Sequence, residues 1–234
     1  RQVSKAYAQV ARANDDGEGH GIAQSCCGTS DDGAINALIS TRLGYSQADL
    51  DQAPAGADMG LGCGNPKAIA ALQPGETVVD LGAGGGFDCF LAVHEVGSAG
   101  RVIGVDMPIA DGIADVVISN CVINLSPDKP QVFREAWRVL KAGGRLAISD
   151  VVATAELPED MRHDAALIAG CMGNASLIAD LEAMMRDAGF GQIRIQPKDE
   201  SRAFIKDWAP GRNVTDFVVS ATIEAVKPGA CCGR

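Results

Sequence analysis

The residues that most constrain the fold are 77–90, which read TVVDLGAGGGFDCF. The stretch opens with apolar, β-branched residues and reaches an acid at Asp80, as a buried parallel strand does. Glycines follow at alternate positions, Gly82, Gly84 and Gly86, and an amphipathic pattern begins directly after them. Glycine lets backbone N–H groups approach a ligand closely, and the start of a helix adds further N–H groups. The stretch therefore predicts a strand, a glycine turn and a helix that form a nucleotide-type site.

The spacing of the turn separates the two usual ligands of such a site, a dinucleotide and S-adenosylmethionine. Phe87 stands where the G-x-G-x-x-G pattern of dinucleotide sites needs its last glycine. Asp80, just before the turn, suits a ligand with a cationic amino acid end better than a pyrophosphate. About twenty residues later a second strand ends in Asp106, where a carboxylate can accept hydrogen bonds from ribose hydroxyls. The pattern D-L-G-x-G-x-G resembles the first motif of class I methyltransferases, which use S-adenosylmethionine.

Composition and charge argue against several classes of partner. A net charge of −10 and a pI of about 4.7 leave no basic stripe that could neutralise phosphates, so we expect neither nucleic acid nor an anionic membrane as a partner. No apolar run reaches the ~18–20 residues of a membrane span, and no signal peptide precedes the predicted fold, which favours a cytoplasmic location. The three histidines are scattered and have no recognisable catalytic partner, so hydrolase-type catalysis has no support.

Eight cysteines are many for a chain of 234 residues, and their spacing does not match structural zinc sites. Because the rest of the chain is typical of a cytosolic α/β enzyme, we interpret most of them as thiols. Cys63 lies among glycines, Cys121 follows a strand end and Cys171 lies among small residues, settings that suit a ligand, although packing remains an alternative. The others are Cys26 and Cys27 in a polar loop, Cys89 in the glycine-turn stretch, and Cys231 and Cys232 in the tail.

Two of the predicted strands, 102–106 and 114–120, are joined by residues 107–113 alone. A crossover between parallel strands normally takes a dozen or more residues and usually contains a helix. If the two strands flank the first strand, the link must cross two strand spacings and run back the length of a strand. The sequence therefore predicts either a rearranged sheet or a missing segment after Met107, and the missing segment is favoured. Asn120 ends the later strand, at the edge where open α/β sheets bind ligands.

Six short motifs are more specific than the glycine turn taken alone. They are LGCGNP (61–66), DLGAGGGFDCF (80–90), GVDM (104–107), SNCVINL (119–125), RLAISD (145–150) and GC (170–171). Together they resemble the family of arsenite S-adenosylmethionine methyltransferases. The resemblance adds Met107 and Asn120 to the expected cofactor-binding residues, which are then Asp80, Gly82, Gly84, Gly86, Asp106, Met107 and Asn120.

The expected fold class is α/β, with the Rossmann-like, mostly parallel sheet of a class I methyltransferase, helices on both faces, and a smaller C-terminal α+β part. Residues 1–66 would form an N-terminal helix and a mobile thiol-bearing loop. Residues 67–155 would bind S-adenosylmethionine, and 156–234 would complete the arsenic-binding part and supply the last strands.

The resemblance also implies an activity, the transfer of methyl groups from S-adenosylmethionine to thiol-bound trivalent arsenic in arsenic detoxification. Trivalent arsenic is soft and prefers thiolates, and three sulfurs leave it a lone pair that can attack a sulfonium methyl without a general base. The implied arsenic ligands are Cys63, Cys121 and Cys171. The resemblance further implies that Cys27 and Cys63 serve a later reductive stage, reset by glutathione or thioredoxin. Cys26 remains an alternative to Cys27.

Two other functions remain open. A methyltransferase that acts on a carbon or oxygen of a small organic acceptor would share the fold, but it would usually need an acid–base group near the methyl, and none is convincing here. A thiol-based metalloid-binding protein would bind arsenite without turnover and keep only a vestigial cofactor fold. The intact glycine turn and Asp106 argue against that second alternative.

Overall fold

The computed structural model describes residues 32–105 and 109–229. Its helices are α1 (Asp32–Arg42), α2 (Gln47–Gln52), α3 (Pro66–Ala70), α4 (Phe87–Val96), α5 (Lys129–Val139), α6 (Glu159–Arg162), α7 (Ala165–Ala169), α8 (Ile178–Asp187) and α9 (Arg202–Ile205). Its strands are β1 (Thr77–Leu81), β2 (Arg101–Val105), β3 (Ala114–Asn120), β4 (Leu140–Ala153), β5 (Gly191–Lys198) and β6 (Val218–Val226). Several predictions fall outside the described residues: the helix over 1–12, Cys26, Cys27, Asp106, Met107, Cys231 and Cys232.

The strands form one six-stranded sheet in the order β2-β1-β3-β4-β6-β5. The pairs β1–β2, β1–β3 and β3–β4 are parallel, whereas β6 is antiparallel to both β4 and β5. This mostly parallel sheet with helices on both faces confirms the predicted fold class. β5 and β6 extend the sheet that the earlier strands begin, so the C-terminal residues share its core. The predicted division at residues 66 and 155 stays a prediction.

Helices cover both faces because the central strands are apolar on both sides. On one face, Ala70 of α3 and Val96 of α4 pack against Val116 of β3. On the other face, Phe133 of α5 and Met185 of α8 belong to the largest buried cluster. Within the described ranges, no helix is both long enough and apolar enough to cross a membrane.

Helix α5 ends earlier than the sequence predicts. In the sequence, the glycine pair Gly143-Gly144 predicts the end of this helix, but the helix ends at Val139 and β4 begins at once with Leu140. The N–H groups of Gly112 and Ile113 donate to the carbonyl oxygens of Arg138 and Val139, which draws the end of the helix into the sheet. The prediction of a glycine stop is therefore wrong, because pairing with a neighbouring segment ends the helix first.

The link between β2 and β3 is as short as the sequence indicates, yet the sheet is not rearranged. Val105 and Ser119 both pair with Leu81, so β2 and β3 flank β1 and the link runs back along the strands. Ile109 of the link packs against the same cluster as Leu81 and Ile103, on the face that α5 and α8 cover. A rearranged sheet is thereby excluded, and a missing segment stays a prediction.

Candidate active site

The glycine turn between β1 and α4 lines a groove at the carboxyl end of the parallel strands. Gly82, Gly84 and Gly86 all have positive φ, between 52° and 84°. At Gly82 a Cβ would lie 2.6 Å from a methyl carbon of Val122, so no larger residue fits without displacing the segment after β3. Gly86 is the N-cap of α4. The groove is lined by residues 57–59, 61, 62, 80, 82–85, 87, 88 and 120–122.

Asp80 stands at the floor of this groove and is almost fully buried. Burial first, and then the charge of the neighbouring Asp88, raise the pKa of its carboxyl to about 7. The thiol of Cys89 donates a hydrogen bond to Asp80 Oδ2 at 3.3 Å. A buried carboxyl group that accepts few hydrogen bonds from the protein suits a cationic ligand group, which would stabilise its ionised form.

Asn120 connects the groove to the segment that carries Cys63. Its Oδ1 accepts a hydrogen bond from the main-chain N–H of Cys63 at 3.0 Å. Its Nδ2 lies 2.9 Å from Gly64 O, 3.0 Å from Tyr45 Oη and 3.2 Å from Asp88 Oδ2. Asn120 therefore lies between the glycine-turn helix and the Cys63 segment. This role was not predicted, since the sequence indicated Asn120 only as a cofactor-binding residue at the end of a strand.

Tyr45 and Asp88 form a buried pair that sequence reasoning missed. The Tyr45 hydroxyl donates to Asp88 Oδ1 at 2.6 Å, across a separation of 43 residues. Burial raises the pKa of Asp88 to about 6, against the hydrogen bonds from Tyr45 and Asn120, which lower it. Burial and the charge of Asp88 raise the pKa of Tyr45 well above its usual value. Asp88 lies within the glycine-turn stretch, but nothing in the sequence indicates its distant partner.

Cys63, Cys121 and Cys171, which we call the thiol cluster, come together although they are far apart in the sequence. They are 1%, 7% and 2% exposed and belong to one buried cluster. The thiol of Cys121 interacts with the thiols of both Cys63 and Cys171. Cys171 Sγ also donates to the main-chain oxygen of Cys121 at 2.7 Å, and Cys63 Sγ to that of Ser149 at 3.4 Å. None of the three forms a disulfide with another described cysteine.

Burial and neighbouring thiols raise the pKa values of two members of the thiol cluster, Cys63 and Cys121. Burial raises the pKa of Cys63 to about 11, although a hydrogen bond with Cys121 lowers it. For Cys121, a hydrogen bond with Cys171 lowers the pKa, but the interaction with Cys63 and burial outweigh it and leave the pKa well above its usual value. Protonated thiols can exchange with a neutral hydroxide such as arsenous acid without placing a charge in an apolar site.

Two members of the thiol cluster have an unusual backbone conformation. Cys121 has φ +59° and Cys171 has φ +63°. Non-glycine residues with positive φ are uncommon and are enriched at functional sites. The conformation turns both side chains out of the regular direction of the preceding strand or helix. Nothing in the sequence predicts the positive φ of these two cysteines, although the glycines near Cys171 indicate a tight turn.

A buried acid and a buried lysine lie next to the thiol cluster, and neither was predicted. Asp150 Oδ2 accepts from the N–H of Ile123 at 2.9 Å, and Oδ1 accepts from Asn124 Nδ2 at 2.9 Å. Burial raises the pKa of Asp150 to about 7. The ammonium group of Lys129 contacts neutral groups in residues 174–176, and burial lowers its pKa to about 8, against the charges of Asp150 and Cys171.

The groove and the thiol cluster meet at one residue. Cys121 lines the groove together with Asp80, Gly82 and Asn120, and it contacts both other thiols. The chain can therefore hold one ligand along the glycine turn and a second, thiol-bound ligand beside it. Of the predicted site residues, the structure brings together Asp80, Gly82, Gly84, Asn120, Cys63, Cys121 and Cys171.

Comparison with known proteins identifies related sequences and folds. A family model described as a methyltransferase domain matches residues 72–110 and 106–189. An arsenite methyltransferase of Halobacterium salinarum is 48% identical over 245 aligned positions, which cover 88% of this chain and 63% of the relative. The human arsenite methyltransferase is 35% identical over 157 positions, which cover 50% of this chain and 42% of the relative. The chain thus spans less than two thirds of the length of these relatives.

Two solved structures resemble the fold. The first is an arsenic (III) S-adenosylmethionine methyltransferase from Chlamydomonas reinhardtii, with a TM-score of 0.58, 27% identity, and coverage of 86% of this chain and 75% of the other. The second is a putative sarcosine dimethylglycine methyltransferase from Galdieria sulphuraria, with a TM-score of 0.55, 15% identity, and coverage of 85% and 99%. The second likeness concerns the fold alone. Since the family model spans half of the chain, the chain belongs to the methyltransferase domain family.

Proposed function

We propose that this chain binds S-adenosylmethionine in the groove and transfers its methyl group to trivalent arsenic held by the thiol cluster. One observation carries the proposal: three sulfurs from separate segments converge beside a glycine-turn groove, and Cys121 belongs to both. The arsenite methyltransferases named above support the choice of arsenite as substrate, and arsenic detoxification would be the purpose of the reaction. Asp80, Gly82, Gly84 and Asn120 would hold the methyl donor, together with Gly86 and, outside the described residues, Asp106 and Met107.

The residues of the groove fit a methyl donor with a cationic amino acid end. Asp80 offers a buried carboxylate, and the positive φ of Gly82 and Gly84 exposes backbone groups to a ligand. When bound, S-adenosylmethionine supplies an electrophilic methyl group on a positively charged sulfur. The protein contributes positioning, which can account for ~7–11 kcal/mol of a barrier reduction.

The thiol cluster would act by orienting arsenic. Each of the three thiols replaces one hydroxide of arsenous acid, the thiol proton leaves with the hydroxide as water, and the product is a neutral tris-thiolate. Arsenic then keeps a lone pair opposite its three sulfurs, and we place it on the groove side because Cys121 lines the groove. The lone pair is itself the nucleophile, so no side chain has to remove a proton.

The test is a turnover assay with product identification. Purified protein with arsenite, a thiol reductant and S-adenosylmethionine should yield methylated arsenicals. Cys121→Ser and Cys171→Ser should each abolish methylation, because a hydroxyl is a poor ligand for arsenic, and Cys171→Ser, which lies outside the groove lining, should leave binding of S-adenosylmethionine unchanged. The matched control is Cys89→Ser, which alters a thiol outside the thiol cluster and keeps a hydroxyl that can donate to Asp80. Full methylation by either the Cys121 or the Cys171 variant would refute the assignment.

A later reductive stage is proposed for Cys27 and Cys63, with Cys26 as the alternative to Cys27. Methylation formally oxidises arsenic, and two thiols can return it to the trivalent state by forming a disulfide. Glutathione or thioredoxin would reset the pair, which places the protein in a reducing compartment such as the cytoplasm.

We expect Cys27→Ser to leave the first methyl transfer intact and to slow the later ones, because only the later ones need the oxidised arsenic to be reduced. Time courses of mono- and dimethylated products measure the effect. A normal rate for every round in the Cys27→Ser and Cys26→Ser variants would contradict this role.

We further propose that a segment is missing after Met107. Two observations support it: the family model matches in two parts that meet at residues 106–110, and the alignment to the Halobacterium salinarum protein has 245 positions although only 88% of this 234-residue chain takes part. The relative therefore has positions without counterparts here. A segment at this edge of the sheet would contact the adenine end of the methyl donor.

A further inference from the structure

A buried carboxyl group lies against the thiol cluster, and three thiols around arsenic do not need it. The ligand atoms of Cys63, Cys121 and Asp150 all lie within 4.8 Å of one another. Asp150 Oδ1 accepts hydrogen bonds from Asn124 Nδ2 and from Val151 N, whereas Oδ2 accepts one from Ile123 N among the described residues. Because a carboxylate oxygen has two lone-pair directions, Oδ2 keeps one for a further ligand.

Two sulfurs and one carboxylate oxygen form a donor set that suits a different kind of ion from arsenic. Zinc-class divalent cations bind Cys sulfur and Asp oxygen together, usually in a tetrahedron. Trivalent arsenic instead takes three soft sulfurs in a pyramid. Water can complete a tetrahedron around a divalent cation.

The charges around this set also balance for a divalent cation. Two thiolates and one carboxylate carry three negative charges, which exceed the two positive charges of the ion by one. Lys129 supplies the remaining positive charge, because its buried ammonium interacts electrostatically with Asp150 and Cys171 while its hydrogen bonds go to neutral acceptors. The complex is then neutral as a whole, which a buried site requires.

We propose that Cys63, Cys121 and Asp150 bind a zinc-class divalent cation, and that this ion excludes arsenite from the thiol cluster. Two sulfur–cation bonds and one oxygen–cation bond form, the two thiol protons pass to solvent, and nothing is oxidised or reduced. The two ligands share Cys63 and Cys121 but differ in the third donor, Asp150 for the cation and Cys171 for arsenic. The inhibition rests on the proposed function, whereas the binding of the cation does not.

The experiment uses cadmium as the probe, under anaerobic conditions and without any methyl donor. Equilibrium dialysis of the full chain measures bound cadmium and, in parallel, bound arsenite. Asp150→Asn should weaken cadmium binding at least about tenfold and leave arsenite binding unchanged, since loss of a ligand should cost no less than loss of a supporting contact. Cys171→Ser should show the reverse pattern, and excess cadmium should displace arsenite from the unaltered protein.

An equal loss of cadmium binding and arsenite binding in Asp150→Asn, or unchanged cadmium binding, would overturn the proposal. If that variant does not fold, X-ray absorption of the cadmium-loaded unaltered protein decides: two sulfurs with at least one oxygen agree with it, and a shell of sulfur alone contradicts it. If cadmium binds as expected and arsenite does not bind at all, the proposed function fails while the cation site stands.

Discussion

Cys121 and Cys171 are the residues at which fold and chemistry conflict. Both have positive φ, where a side chain costs about 1–3 kcal/mol relative to glycine. Both are buried, and both contact another thiol of the cluster. A sequence that served stability alone would place glycine at these positions. The strain is thus evidence, independent of the resemblance, that the two sulfurs are kept for what they bind.

This strain gives a prediction for residue 171. Cys171→Gly should be more stable than Cys171→Ala by about 1 kcal/mol, because glycine alone relieves the positive φ. Denaturant unfolding of both variants measures the difference. The matched pair is Cys89→Gly and Cys89→Ala within α4, where alanine should be the more stable by about 1 kcal/mol. If alanine were more stable than glycine at both positions, residue 171 would carry no backbone strain.

The residues that the sequence identified were those with a visible local setting. Glycines around Cys63 and beside Cys171, and the strand end before Cys121, marked positions where a side chain could meet a ligand. Asp150 and Lys129 had no such mark, because a single carboxylate near the end of a strand and a single lysine at the start of a helix indicate no site by themselves. Their importance comes from burial beside the thiol cluster, which only the fold brings about.

At the scale of elements, predictions succeeded where one strong local signal decides the structure. β1 and β3 follow from β-branched apolar runs, and α4 begins at Phe87 as the glycine turn indicates. They failed where a partner distant in sequence decides, as at the end of α5, which stops at Val139 because residues 112 and 113 bond to its last carbonyl groups. The contact between Tyr45 and α4 could not be predicted for the same reason, because the two partners are distant in the sequence.

The contact of Tyr45 with Asp88 ties the segment between α1 and α2 to the cofactor helix. Tyr45→Phe should lower the free energy of unfolding by about 1–3 kcal/mol, because it leaves the buried Asp88 without a donor at 2.6 Å. A double-mutant cycle with Asp88→Asn should give a coupling of about 1 kcal/mol or more. Thr41→Val, which removes an exposed hydrogen bond to Ala37 in the same region, should change stability little. Equal effects of Tyr45→Phe and Thr41→Val on the free energy of unfolding would show that the contact between Tyr45 and Asp88 does not stabilise the fold.

For the molecule as a whole, the acidic side chains fall into two groups with opposite effects on stability. Asp80, Asp88 and Asp150 are buried, which raises the pKa of each, to about 7, about 6 and about 7. Glu76 and Asp115 are only partly buried; their hydrogen bonds to Arg145 and Lys141 lower their pKa values despite that burial. The first group favours folding when protonated, and the second when ionised.

The stability of the ligand-free protein should therefore fall as pH rises from about 5 to about 7. In this range the folded protein keeps protons on Asp80, Asp88 and Asp150 that the unfolded chain has already lost, so folding takes up protons and each rise in pH opposes it. The net charge of −10 acts in the same direction through self-repulsion. Below about pH 4 the paired carboxylates lose their charge and stability should fall again, which places the maximum between these limits.

We expect a loss of at least about 2 kcal/mol between pH 5 and pH 7, measured by denaturant unfolding at constant ionic strength, because each unit of pKa difference is worth about 1.4 kcal/mol. Asp88→Asn should flatten this slope, since it removes one of the three protons, whereas Asp51→Asn on the surface of α2 should leave it unchanged. Stability that stays constant or rises over the same range would show that these carboxylates are ionised in the folded protein, and that the floor of the groove already carries the charge that we assign to the ligand-bound state.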